Sequence, residues 1–125
     1  VDLLTITDFN SKPDQIKRRK GVIASARVHP GESNASWMMK GLIDFLTGES
    51  TEAAILRHNF VFKVVPMLNP DGVINGNYRC SLAGVDLNRN WKSPSSSLHP
   101  TIFYTKQMIR QLLQVRSVLM YTDLH

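Results

Sequence analysis

The chain has 125 residues, 42% of them hydrophobic, with 15 Lys and Arg against 10 Asp and Glu and a formal net charge of +5. That is enough apolar material for a buried core in one domain or part of one, and too much for a disordered tail. No apolar run approaches the length of a membrane span, and Cys80, the only cysteine, excludes an internal disulfide within these residues and favours a reducing setting.

Residues 1–7 read as a strand. The chain starts in this run without Met and ends in another strand-like run at His125, so both ends look cut from something longer. Residues 8–20 are polar and read as an exposed connection carrying the basic run Lys17-Arg18-Arg19-Lys20. These charges form no stripe with interleaved aromatics, so a solvated loop is the better reading than a nucleic-acid surface. Residues 21–28 alternate as a strand, with Val22, Ala24, Ala26 and Val28 on one face.

The loop His29-Pro30-Gly31-Glu32 follows. Imidazole and carboxylate are ordinary zinc ligands, and this pair stands at the mouth of a strand, where both can point at one cation. Ser33 or Asn34 is the expected cap of a helix to about residue 46, with Met38, Leu42, Phe45 and Leu46 as its apolar stripe and Gly48 as its stop. A short helix opens at Ser50 or Thr51. Residues 60–66 read as a buried strand, and Asn69-Pro70-Asp71-Gly72 as a turn. Residues 73–100 lack periodicity, which in a compact domain is often functional. A helix over 101–116 and a strand over 117–124 complete the pattern.

Strands alternating with helices predict an α/β fold with a mixed, largely parallel sheet flanked by helices. Ligands of such sheets bind beyond the carboxyl ends of the strands. His29 and His125 each follow a strand, so they share one edge if those strands run parallel. His125 is then the third candidate ligand. His58 and His99 read as surface histidines, and Cys80 as a structural thiol. Asn88 and Arg89 suit a carboxylate, since guanidinium presents a planar fork and the amide adds a donor. Arg79 is a separate cation suited to a developing oxyanion. Asp86 suits the far nitrogen of a ligand histidine, fixing its tautomer.

His29-Pro30-Gly31-Glu32, Asn69-Pro70-Asp71-Gly72, Asn77-Tyr78-Arg79-Cys80, Asp86-Leu87-Asn88-Arg89-Asn90-Trp91 and Asp123-Leu124-His125 occur in this order. Together they resemble the zinc metallocarboxypeptidase family. The stretches around His29 and Asn69 are similar to its cytosolic carboxypeptidase branch, which includes enzymes that trim glutamates from tubulin tails. The resemblance implies one Zn²⁺ held by His29, Glu32 and His125. It implies Arg79 as the group that polarises the scissile carbonyl, Asn88 and Arg89 as the grip on the substrate's terminal carboxylate, and Asp86 as the partner of the first histidine. It also implies a cytoplasmic hydrolase acting on peptide or protein C-terminal tails, tubulin among them, with residues 1–125 as the N-terminal part of the catalytic domain. The family's general-base glutamate and its side-chain pocket lie downstream of the third ligand. The 125 residues alone are therefore expected to be inactive. The alternative is a non-catalytic module that binds acidic tails through Arg79 and Arg89.

Overall fold

A computed structural model of the chain describes all 125 residues. The elements in order are β1 (Leu4–Ile6), α1 (Pro13–Arg18), β2 (Lys20–Ala26), α2 (Ser33–Thr47), α3 (Thr51–Asn59), β3 (Phe60–Val65), α4 (Pro70–Asn75), a 3₁₀ turn (Leu87–Arg89), α5 (Pro100–Val115) and β4 (Val118–Leu124). The strands form one sheet in the order β1-β3-β2-β4. β2 runs parallel to both β3 and β4, and β1 pairs antiparallel with β3. The parallel β2–β4 pairing is the condition that puts His29 and His125 on one edge.

Alternation along the central strands divides the core. Val22, Ala24 and Ala26 of β2 join Phe62 and Val64 of β3 against Ala35, Met39 and Leu46 of α2. Val65, one residue out of phase, joins Leu68, Leu87 and Ile102 of α5 in a second cluster. The expected β2 face is correct as far as Ala26. Val28 belongs to the second cluster, because Arg27 takes a left-handed backbone with φ 58°. A non-glycine residue there is strained, and such strain gathers at functional loops. The Arg27 side chain offsets it by donating to the Pro30 carbonyl (2.8 Å) and to Ser36 Oγ (2.6 Å).

Several local expectations are corrected. The segment after β1 holds the short helix α1, and Arg19 of the basic run is buried. Its guanidinium donates to Thr7 Oγ1 (2.8 Å) and to the Asp8 carbonyl (2.9 Å), so one charge of that run is a structural tie. The buried face of α2 is Ala35, Met39 and Leu46, whereas Met38 and Phe45 are exposed. Glu32, not Ser33 or Asn34, occupies the position before α2, and its side chain makes no capping bond. Asn69-Pro70-Asp71-Gly72 is the start of α4 rather than a turn: Asn69 Oδ1 accepts from the Gly72 N–H at 3.0 Å. His99 is buried and its Nδ1 accepts from the Ser95 N–H at 3.0 Å, while His58 is exposed as expected.

Gly72 is required by close approach. A Cβ there would meet the Pro30 ring and would lie 2.8 Å from both Asn69 Oδ1 and the Cys80 carbonyl. A Gly72→Ala variant is expected to lose about 1–3 kcal/mol, the usual cost of overpacking. Thermal unfolding would read this as a drop of several degrees, and an unchanged midpoint would contradict the packing described.

Candidate metal centre

The loop after β2 is built by its neighbours. Leu68 and Asn69 donate backbone N–H groups to the carbonyls of Ala26 (2.9 Å) and Arg27 (3.2 Å), and Asn69 Nδ2 donates to the Val28 carbonyl at 3.2 Å. Gly31 N–H donates to the Tyr78 carbonyl at 2.7 Å, and a Cβ at Gly31 would strike Tyr78. His29 and Glu32 are thus fixed by a loop pinned on both sides. Asn34 Nδ2 donates to the His125 carbonyl at 2.9 Å, which draws the end of β4 onto the start of α2.

The donor atoms of His29, Glu32 and His125 all lie within 4.8 Å of one another. His29 Nδ1 is 2.9 Å from Glu32 Oε1, and His125 Nδ1 is 3.0 Å from Glu32 Oε2. The far nitrogens face two further carboxylates: His29 Nε2 is 3.0 Å from Asp86 Oδ1, and His125 Nε2 is 3.2 Å from Asp123 Oδ2. The result is a row of alternating groups, Asp86, His29, Glu32, His125 and Asp123.

Proton counting tests whether this row suits a metal. Two neutral imidazoles carry one N–H each, enough for two of the four contacts. If the far nitrogens use them, two imidazole lone pairs point at the oxygens of Glu32. Lone pairs at that separation repel unless a cation lies between them. Two extra protons or one divalent ion would satisfy the row. The three donors are all ordinary zinc ligands, and small side-chain rotations would bring them to the roughly 2.0–2.2 Å that zinc requires. The residues therefore fit the ion.

The acidic members are held in their charged forms. Where His29 and His125 donate to Glu32, burial pushes its carboxyl up, but those two bonds outweigh it and the net direction is down. For Asp86, burial also pushes up, and His29, the Asn88 N–H and Arg79 together bring it below its ordinary value. Both groups remain ionised under neutral conditions.

Asp86 connects this row to the cations. Its Oδ2 accepts from Arg79 Nε at 2.8 Å, and its Oδ1 accepts from the Asn88 N–H at 2.9 Å. Arg79 is 43% exposed in its side chain, and its two terminal amines make no hydrogen bond, so they face solvent beside the row. Asn88 Oδ1 accepts from Trp91 Nε1 at 3.0 Å, which turns its NH₂ away from Trp91. Arg89, on the same 3₁₀ turn, is exposed and makes no ion pair. All seven residues singled out from the sequence therefore sit in one neighbourhood, or on the short turn that borders it. Cys80 contributes its carbonyl, which accepts from Asn77 Nδ2 at 2.9 Å, and its thiol is free.

The sequence reading missed Asp123. The signal was present: Tyr121 and Asp123 alternate along β4 with His125 one residue past its end, and period two puts the strand pair on one face. The phenol of Tyr121, tucked onto Ser25 beside Asp123, is pushed up to about 12 by burial, with the Ser25 bond opposing and the Asp123 charge adding.

A family model described as zinc carboxypeptidase matches residues 1–125. The chain belongs to the zinc carboxypeptidase family. It is 58% identical over 125 residues to cytosolic carboxypeptidase 2 of Mus musculus and 58% identical to cytosolic carboxypeptidase 3 of Bos taurus. The whole chain is covered in both matches, but it spans only 14% and 12% of those proteins. Among solved structures, a metallo-carboxypeptidase from Pseudomonas aeruginosa superposes with a TM-score of 0.83 at 32% identity, over 98% of this chain and 30% of that one. A putative carboxypeptidase A from Shewanella denitrificans gives 0.84 at 29% identity, covering 97% and 30%. The mixed sheet between helices is thus the zinc carboxypeptidase fold over the part this chain spans. No helix is long and apolar enough to cross a membrane.

Proposed function

We propose that the whole protein is a zinc-dependent carboxypeptidase and that these 125 residues form the first part of its catalytic domain. The observation that carries this reading is the row of alternating carboxylates and imidazoles, which one divalent ion at its centre would satisfy. His29, Glu32 and His125 would hold one zinc ion. When bound, zinc supplies Lewis-acid polarisation of a carbonyl and acidifies water. The free amines of Arg79 would hold negative charge developing on the scissile carbonyl oxygen. Arg89 and the Asn88 amide would grip the terminal carboxylate, which restricts cleavage to the last peptide bond. Asp86 would orient His29 and Arg79 together.

A general base must come from elsewhere. The chain has three glutamates, Glu32, Glu49 and Glu52. α2 leaves the metal-facing edge at Ser33 and carries the chain roughly 22 Å away over 15 residues. Glu49 and Glu52 lie beyond its far end and are exposed. This same absence favours the second reading, a module in these residues that binds acidic tails without cleaving them.

C-terminal glutamates, including those of tubulin tails in the cytoplasm, are the substrates we favour. The net charge of +5 and the unpaired Arg89 support an acidic tail. The test is to assay the whole protein on peptides ending in glutamate, in lysine and in a glutamate amide. Chelator-sensitive release of the terminal residue from the free acids, but not from the amide, is expected. Cleavage of the amide at a comparable rate would rule out the clamp. The isolated 125 residues are expected to release nothing measurable, and turnover by them would overturn the assignment of the base to another segment.

A further inference from the structure

His125 ends a strand that is only half covered. Leu119 and Met120 of β4 are substantially exposed. An imidazole on such an edge needs something to hold its ring, and no core packing supplies it. Its one ring neighbour is His29, at a centroid distance of 5.4 Å.

The register of the sheet supplies what packing does not. Ser25 of β2 pairs directly with Asp123 of β4, and Ile23 with Tyr121. Paired residues of a parallel ladder point to the same face, so Ser25, Asp123 and Tyr121 meet. Ser25 is completely buried. Its Oγ donates to Asp123 Oδ1 at 2.6 Å, and Tyr121 OH lies 2.7 Å away. Because the single Ser25 proton is committed to Asp123, the Tyr121 hydroxyl must donate to Ser25. That leaves Asp123 Oδ2 to face His125 Nε2 at 3.2 Å.

The Tyr121 ring is itself braced. It meets the Trp91 ring edge-on at 5.8 Å, and Trp91 is bonded to Asn88. Packing on Trp91 thus holds the Tyr121 ring, and the Tyr121 hydroxyl donates to Ser25, which donates to Asp123. The bonds converge on Asp123, which accepts from Ser25 with one oxygen and faces His125 Nε2 with the other.

We infer that Asp123, fixed by Ser25 and Tyr121, is the positioning residue of the third metal ligand: it accepts a hydrogen bond from the Nε2–H of His125 and so leaves Nδ1 as the lone pair for the ion. The inference rests on the proposed ligand set. It gives that set a symmetry, since Asp123 does for His125 what Asp86 does for His29. Loss of such a partner typically weakens metal binding 10–100-fold.

The experiment measures zinc affinity of the full-length protein by competition with a chromophoric chelator. It compares Asp123→Ala, Ser25→Ala and His125→Ala with the parent, and records the visible spectrum of each Co²⁺ form. Thermal unfolding of the metal-free proteins runs in parallel. His125→Ala reports on the ligand assignment itself: unchanged affinity there would mean that His125 is no ligand. Given a loss there, Asp123→Ala should weaken zinc about 10–100-fold and Ser25→Ala several-fold. Both should alter the Co²⁺ bands while leaving the metal-free midpoint near that of the parent. Should Asp123→Ala fail to fold, Ser25→Ala alone decides, because it removes one atom from a buried site. Affinity within twofold of the parent and an unaltered Co²⁺ spectrum in the folded variants would overturn the positioning role.

Discussion

Replacing Glu32 with alanine is expected to lower zinc affinity about 10²–10³-fold, the largest effect of any single change in this site. Structural zinc sites are held by roughly 10–16 kcal/mol over four ligands, so one ligand accounts for about 2.5–4 kcal/mol. Glu32 is also the group shared by both imidazoles, at 2.9 and 3.0 Å. Removing it disconnects the two halves of the row. Glu32→Gln separates charge from shape. Its amide N–H can donate to an imidazole lone pair, which relieves the repulsion that the carboxylate suffers without an ion. The metal-free Gln variant should therefore melt at or above the metal-free parent while binding zinc far more weakly. Chelator competition and paired melts check both halves. Stoichiometric zinc retained by Glu32→Ala after dialysis against a chelator would remove Glu32 from the ligand set.

The second large effect is expected at Arg79. An Arg79→Ala form of the whole protein should lose about 10²–10³ in kcat, the range for removing one donor to an oxyanion. KM and zinc content should change little, because Arg79 touches the row only through Asp86. Arg89→Ala should show the opposite split, with KM raised and kcat less affected, since a clamp on the terminal carboxylate acts before the transition state as well as in it. Arg79→Lys is not expected to rescue: a lysine has no second face with which to hold Asp86 and still present free donors. Steady-state kinetics with zinc quantified in each sample distinguishes these outcomes. A KM effect confined to Arg79 would exchange the two roles.

His29 and His125 were legible as candidate ligands because each follows a strand-like run, and Glu32 because it shares the loop of His29. The sheet then brought His29 and His125 together through a parallel pairing that the α/β pattern implied. Asp86, Arg79 and Asn88 were legible as residue types, yet their meeting was not. It depends on a segment over residues 77–90 that folds by turn bonds such as Ser81 N–H to the Val85 carbonyl at 2.9 Å, and such bonds leave no periodic trace. The phase of α2 was misread because Met38 and Met39 are interchangeable by hydropathy. Only the direction of the helix relative to β2 selects Met39 for the core. Arg27 is the clearest failure. Nothing in its residue type announces a left-handed backbone, and the switch of Val28 between clusters follows from that one angle. Asn69 was read as a turn former for a sound reason, since the same side chain that makes a turn also caps a helix.

Asp86 holds His29 with one oxygen and Arg79 with the other. A single carboxylate shared in this way makes two binding events thermodynamically reciprocal. Whatever tightens its grip on the imidazole changes how the guanidinium is presented, and the coupling must be equal in both directions. The factor by which zinc improves the affinity for an anionic inhibitor held by Arg79 should therefore equal the factor by which that inhibitor improves the affinity for zinc. Substituting Asp86 with asparagine should bring that common factor towards one. Cooperativity between a metal and an anion would then reside in one side chain that touches neither.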